Sequence, residues 1–205
     1  HHKVHDIIGY GYHDREPLVP FVIAAIDITR RALGHEPVPL VCVASNTAAP
    51  ECALTYTLYK FLHIVFLLVA AVGAFFIVLW FTGTKWLAYA TFLLTTQSTE
   101  LLHSIDINSF YTEVPAAALM VATSAFSLLA LTRRRAVYSV LLGLALAALV
   151  LTKTIFVYLW IIIALIFVVS DLSKKRFDQS SVALVSLFLV AHFIPLGTWM
   201  ARNYA

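Results

Sequence analysis

From residue 62 onward the chain is apolar almost without interruption, and short polar or basic turns divide it. The runs predict membrane-spanning helices over 62–82, 86–97, 114–132, 136–151, 155–170 and 182–200. Several fall short of the ~20 residues that cross about 30 Å of hydrocarbon, 86–97 most of all. Helices this short are expected to end in a protein-lined or watery cavity. Residues 1–61 read differently. "PLVPFVIAAIDITRRAL" (17–33) opens on two prolines and continues as an amphipathic stretch. Asp27 and Arg31 are four apart and share a helix face, with Arg30 beside them. Its apolar run of about ten residues is too short to span a bilayer, so it predicts a helix lying in the membrane plane. Residues 34–55, with three prolines, read as loop. The expected fold is all-α: an extracytoplasmic loop with an in-plane helix (1–61), then a transmembrane bundle of about five to six spans (62–205). No repeat of about 20–50 residues is visible.

Composition agrees with this class. Of 205 residues, 61% are hydrophobic and 12% charged, against about 45–50% and about 25% in soluble domains. The net charge of +3 comes from small basic clusters beside apolar runs. That placement suits topology signals, so no nucleic-acid partner is expected. Cys42 and Cys52 lie in one polar segment and are either paired or free thiols. The chain opens on "HHKVHDIIGYGY", without Met, and stops on "WMARNYA", one turn past an apolar run. A fragment lacking an upstream and a downstream part is therefore expected.

The turns carry an orientation. "TGTK" (82–85), "TRRR" (132–135) and "DLSKKRFDQSS" (171–181) hold seven Lys/Arg, whereas 95–113 and 152–154 hold one. Basic short loops stay in the cytoplasm. Residues 1–61, 95–113, 152–154 and the C-terminal end then lie outside. This gathers Asp14, Arg15, Asp106, Glu113, Lys153 and Arg202 at one membrane face. Ionisable groups at such positions are functional candidates with partners. Lys153 would act as a point charge on an anion, and Arg15 and Arg202 would bind phosphate oxygens bidentately. Glu113 or Asp14 would orient a cation, a hydroxyl or one of these basic side chains, and a carboxylate at this face could also act as general base. Each residue also has a plainer account. Lys153 could snorkel, Arg202 could be an interfacial anchor, Glu113 could be a charge facing a helix dipole, and Asp14 could be a loop residue. The eight histidines show no paired ligand spacing, so no metal site is predicted.

Four stretches then resemble the GT-C superfamily of membrane glycosyltransferases, in the branch of the dolichyl-phosphate-mannose protein mannosyltransferases and aminoarabinose transferases. "GYGYHDREPLVPFVIAAI" (9–26) resembles the G-x-G-[FY]…R-x-P-L-Y-P segment of the first outer loop, departing from it at Val19. "FYTEVPAAALMVAT" (110–123) resembles the T-E-x-x-x-x-x-L start of a span. "LLGLALAALVLTKTIFVYL" (141–159) resembles the G-L-x-x-G-L-A-x-L-T-[KR] span, and "IPLGTWMARNYA" (194–205) the P-x-x-x-W-x-x-R-N-Y ending. They run through most of the chain in the family's order.

The resemblance implies an outward-facing multi-pass enzyme of a bacterial inner or plasma membrane. It would move a sugar from a polyprenyl-phosphate donor to a lipid, glycan or protein acceptor, with a divalent cation left open as cofactor. Arg15, Glu113, Lys153 and Arg202 would line the donor-phosphate and acceptor cavity. The family's usual catalytic Asp follows a first span that this chain does not contain. Asp14 or Asp6 would be weak substitutes, and whether the fragment is active alone stays open. Two other readings compete: a transporter or flippase for an anionic lipid or solute, and a non-catalytic membrane subunit.

Overall fold

The computed structural model describes residues 18–36, 52–106 and 112–204; for 18–23, 100, 104–106 and 202–204 it describes the backbone alone. All described elements are helical: α1 Leu18–Ala32, α2 Ala53–Thr82, α3 Lys85–Thr96, α4 Thr99–Asp106, α5 Glu113–Arg133, α6 Ala136–Thr152, a 3-10 turn Thr154–Tyr158, α7 Leu159–Ser173 and α8 Gln179–Tyr204. Four stretches are long and apolar enough to cross a membrane: Ala53–Thr82, Glu113–Arg133, Thr154–Ser173 and Gln179–Ala201.

The helix predicted to start at 62 starts at Ala53. Its 30 residues reach about 45 Å, well beyond the ~30 Å of hydrocarbon. The polar residues of the first three turns hide this start in a hydropathy reading. They nevertheless extend one buried face: Thr55, Tyr56, Tyr59 and His63 continue into Leu67, Ala70 and Ala71. Gly83 ends α2 in the left-handed conformation, its N–H donating to the Leu79 carbonyl. The 86–97 run becomes α3, which at 12 residues spans about 18 Å. After Gln97 and Ser98 the chain resumes as α4, so the return beside α2 is a broken helix.

Helix α6, between α5 and α8, is the centre of the bundle. It has 17 residues, nine of them buried; they cover somewhat more than half of its circumference, and Val137, Leu141 and Leu144 share the exposed side. A helix packed on two longer neighbours need not itself match the bilayer thickness. Small residues make the contact with α8 close: Ser139, Gly143 and Ala147 recur every fourth position and are buried. A Cβ on Gly143 would meet the Phe188 carbonyl oxygen, and would lie 2.7 Å from the Ala191 Cβ and 3.0 Å from the His192 N. Leu142, Leu146, Leu149, Ile163, Phe167 and Phe188 fill the core around this contact. Trp160 meets Phe193 and Phe167 stacks near Phe188, so α7 and α8 run antiparallel. The bundle therefore has two ends. One holds the starts of α2 and α5 and the end of α6. The other holds Gly83, the α5–α6 turn and the α7–α8 connection.

At the second end the basic turns are tied down. Arg134 takes the left-handed conformation (φ 50°) that closes α5. Its Nη1 donates to Asp171 Oδ1 at 2.6 Å, and its Nη2 lies 3.3 Å from Asp178 Oδ1 and 2.9 Å from Ser181 Oγ. Arg176 Nε reaches the same Asp171 oxygen at 3.3 Å. Asp178 caps α8, accepting the Ser181 N–H at 2.9 Å. That bond first, and the Arg134 charge as a further cause, hold its carboxyl below its ordinary value of 3.8. As sequence, these basic residues read as topology signals alone; in the fold, Arg134 and Arg176 also clamp three segments together.

Candidate functional site

At the first end, Lys153 interrupts α6. Thr152 turns its hydroxyl back onto the Ala148 carbonyl, 2.7 Å away, and Lys153 then adopts an extended backbone (φ −144°, ψ 107°). Its N–H still donates to Leu149, and its carbonyl accepts from Phe156 in the 3-10 turn. This one extended residue turns the chain and puts the lysine at the rim of the bundle. Glu113 is the first residue of α5, where a carboxylate faces the positive end of the helix dipole. Thr112, just before it, is buried.

The two side chains meet. Lys153 Nζ donates to Glu113 Oε1 at 3.0 Å, with the lysine 30% and the glutamate 43% exposed. A pair this open to solvent stabilises a fold by at most about 1 kcal/mol. Its charges can therefore exchange partners, and either side chain can be changed at little cost to folding. Glu113 also acts electrostatically on Tyr59 of α2. The Tyr59 ring lies 4.1 Å from that of His63, and both are buried. His63 Nδ1 is 3.1 Å from the Tyr59 carbonyl. A sequence reading that begins the helix at 62 misses Tyr59 and His63 as a pair. The spacing of Tyr56, Tyr59, His63 and Leu67 is the signal that could have found them.

Helix α1 joins the same end, in contact with α2 and α6. Arg30, placed by the sequence beside Asp27 and Arg31, is buried. Its Nη1 donates to Thr55 Oγ1 at 2.8 Å and its Nε to the Glu36 carbonyl at 3.0 Å. Asp27 and Arg31, on one helix face as their spacing predicts, form an ion pair at 2.9 Å. Cys52 is buried and disulfide-bonded; the sequence holds two cysteines, and Cys42 lies outside the described residues.

Of the predicted site residues, the structure brings Glu113 and Lys153 together across 40 positions of sequence. Arg202 lies in the last turn of α8 and Asp106 ends α4, each described by backbone alone. Asp14, Arg15 and Asp6 lie outside the described residues. Among the described residues no three His, Cys, Asp or Glu side chains converge on a metal position. The divalent cation left open by the sequence therefore has no ligand set there. The open apolar face of α7 from Ile162 to Ser173 does not include this pair. No protein-family profile, no curated protein and no solved structure matches this chain.

Proposed function

We propose that the chain is part of a membrane glycosyltransferase that moves a sugar from a polyprenyl-phosphate donor to a lipid, glycan or protein acceptor at the outer face. The observation that carries this reading is the Glu113–Lys153 pair, a carboxylate and an ammonium at 3.0 Å at the bundle rim. In the transfer, the acceptor oxygen bonds to the anomeric carbon while the bond from that carbon to the phosphate oxygen breaks. The phosphate leaves with the electron pair, and the acceptor proton passes to a carboxylate. Lys153 is a mobile point charge, suited to exchange Glu113 for the donor phosphate and to stabilise its growing charge. Glu113, so released, is a base within reach of the same position. Arg15 and Arg202 remain the proposed further phosphate ligands, and Asp14 a weaker candidate base.

Two features support placing this end outside. The disulfide at Cys52 suits an oxidising compartment, and the basic turns lie at the opposite end. The in-plane role of α1 rests on the same orientation. Ile155, 79% exposed beside Lys153, and Ser173, exposed at the far end, provide the check. In intact cells Ile155→Cys should react with an impermeant thiol reagent, and Ser173→Cys only after permeabilisation. The reverse pattern would overturn the orientation.

Glu113→Gln and Lys153→Ala in the intact membrane protein should each lower sugar transfer from a polyprenyl-phosphate donor by about 10²–10⁴-fold, with membrane insertion unchanged. Wild-type rates in both would sink the assignment. A transporter is the second reading, favoured by the broken helix α3–α4. It would be supported instead if both variants lost movement of an anionic substrate across vesicles and the parent transferred no sugar.

A further inference from the structure

We infer that Arg30 and Thr55 form a binding site for a phosphate group, at the end of the bundle that carries Glu113 and Lys153. Helix α1 is thinly attached there. Of its side chains from Ala24 onward, only Ile26 and Arg30 are buried. They are four apart and share one helix face. An apolar residue at 30 would dock that face without taking a charge out of water. A buried cation ordinarily has an anion beside it, and among the described residues Arg30 has none. Glu36 gives it a backbone carbonyl while its own side chain is exposed, and Asp27 pairs with Arg31.

The donors left over define the chemistry that fits. Arginine has N–H groups in a fixed fork and no acceptor. Nε donates to the Glu36 carbonyl at 3.0 Å and Nη1 to Thr55 Oγ1 at 2.8 Å, whereas Nη2 bonds to no described group. Thr55 is fully buried. Its oxygen accepts from Arg30, and its own proton goes to no described acceptor. A guanidinium and a hydroxyl in contact, each more than nine-tenths buried, thus hold surplus donors and an uncompensated charge. Water would take some of these bonds and leave the charge unanswered. A phosphate answers both, and arginine binds its oxygens through paired N–H groups. Helix α1 also meets α6, which ends at Lys153, so a second cation stands at the same end. With α1 in the membrane plane, this phosphate is one carried by a lipid. Its identity as the donor phosphate rests on the transferase reading; the anion site does not.

The test is thermal unfolding of the intact protein in a non-ionic detergent and phosphate-free buffer, with farnesyl phosphate, farnesol or inorganic phosphate added. Farnesyl phosphate should raise the melting temperature as its affinity dictates, and farnesol should not. Arg30→Lys keeps a charge without the paired N–H geometry and should weaken farnesyl phosphate by about tenfold. Thr55→Val keeps the shape, removes the hydroxyl and should weaken it several-fold. If Arg30 and Thr55 only pin α1, both variants will melt lower and keep the parent's ligand-induced rise, which would overturn the site. Should Arg30→Lys fail to fold, Thr55→Val decides alone, and parental affinity there overturns the site. An equal rise with farnesol would overturn it too. Inorganic phosphate as effective as farnesyl phosphate would uphold the anion site and overturn its assignment to a lipid. Arg30-dependent binding in a parent that transfers no sugar retires the transferase reading and leaves this site standing. Sugar transfer by the parent, with affinity unchanged in Arg30→Lys, does the reverse.

Discussion

Gly143→Leu should separate α8 from α6 and leave a protein that does not survive extraction into mild detergent as a single folded species. The groups around Gly143 cannot rotate away. They are the Phe188 carbonyl oxygen, the Ala191 Cβ and the His192 backbone nitrogen. Any side chain at 143 must move one helix axis, and α6 is the helix on which α5 and α8 both pack. Even Gly143→Ala should cost about 1–3 kcal/mol, the usual range for overpacking a tight contact. In a chain of this length that lowers the melting temperature by about 5 °C. Leucine adds three further carbons at the same point, and its effect should be much larger. Two other glycines calibrate the experiment. A Cβ on Gly197 in α8 would have nothing within 4 Å, so Gly197→Ala should be neutral or slightly stabilising. Gly73 in α2 faces the tip of Val121, a side chain that can turn, so Gly73→Ala should fall between. Thermal unfolding in one detergent, followed by size-exclusion chromatography, ranks the three. Equal melting temperatures for Gly143→Ala and Gly197→Ala would show that the close α6–α8 contact is not formed.

The same helix shows what the sequence could and could not disclose. Its apolar character is plain, and so is the lysine that ends it. The Ser139, Gly143, Ala147 stripe is also visible, as a fourfold spacing of small residues within a leucine run. What no run-length rule reveals is that a helix of 17 residues sits between two longer ones and carries the packing of both. Helix α2 errs in the other direction. Hydropathy sees only the part that matches lipid, whereas the helix begins nine residues before its predicted start, held by a buried face that includes Tyr59 and His63. At the candidate site the orientation rule is enough to nominate Glu113 and Lys153 as neighbours, since both fall at helix ends on one side. Arg30 is not legible. Its neighbours Asp27 and Arg31 offer a surface pair, and only the meeting of α1 with α2 shows that the third charge points inward to Thr55.

Asp171→Leu should be the most damaging single change at the opposite end, by about 3 kcal/mol, the usual cost of removing one partner from a buried pair. Asp171 is 7% exposed and Arg134 20%, so the arginine left behind is poorly hydrated. Its backbone adds to the loss. A non-glycine residue in the left-handed region costs about 1 kcal/mol, and the Arg134 side-chain bonds to Asp171, Asp178 and Ser181 are what hold it there. Without Asp171 the α5–α6 turn loses its tie to α7, and Arg176 loses the same oxygen. Arg134→Leu alone should cost less, because Asp171 keeps Arg176 and lies near the aqueous edge of the bundle. The two changes together should cost less than their sum, with a coupling of about 1–3 kcal/mol. Strict additivity in unfolding free energy would show that the two residues act independently. Acid should reproduce only the weaker part of this effect. The Asp178 carboxyl, held below its ordinary value, contributes fully at neutral pH. Its contribution is lost only as the pH falls below about 4 through the lowered value. The gap in melting temperature between the parent and Asp171→Leu should therefore persist from pH 8 to about 5, because neither residue of the clamp takes up a proton in that range. A gap that closes at pH 5 would mean that the clamp depends on a group titrating near neutrality rather than on Asp171.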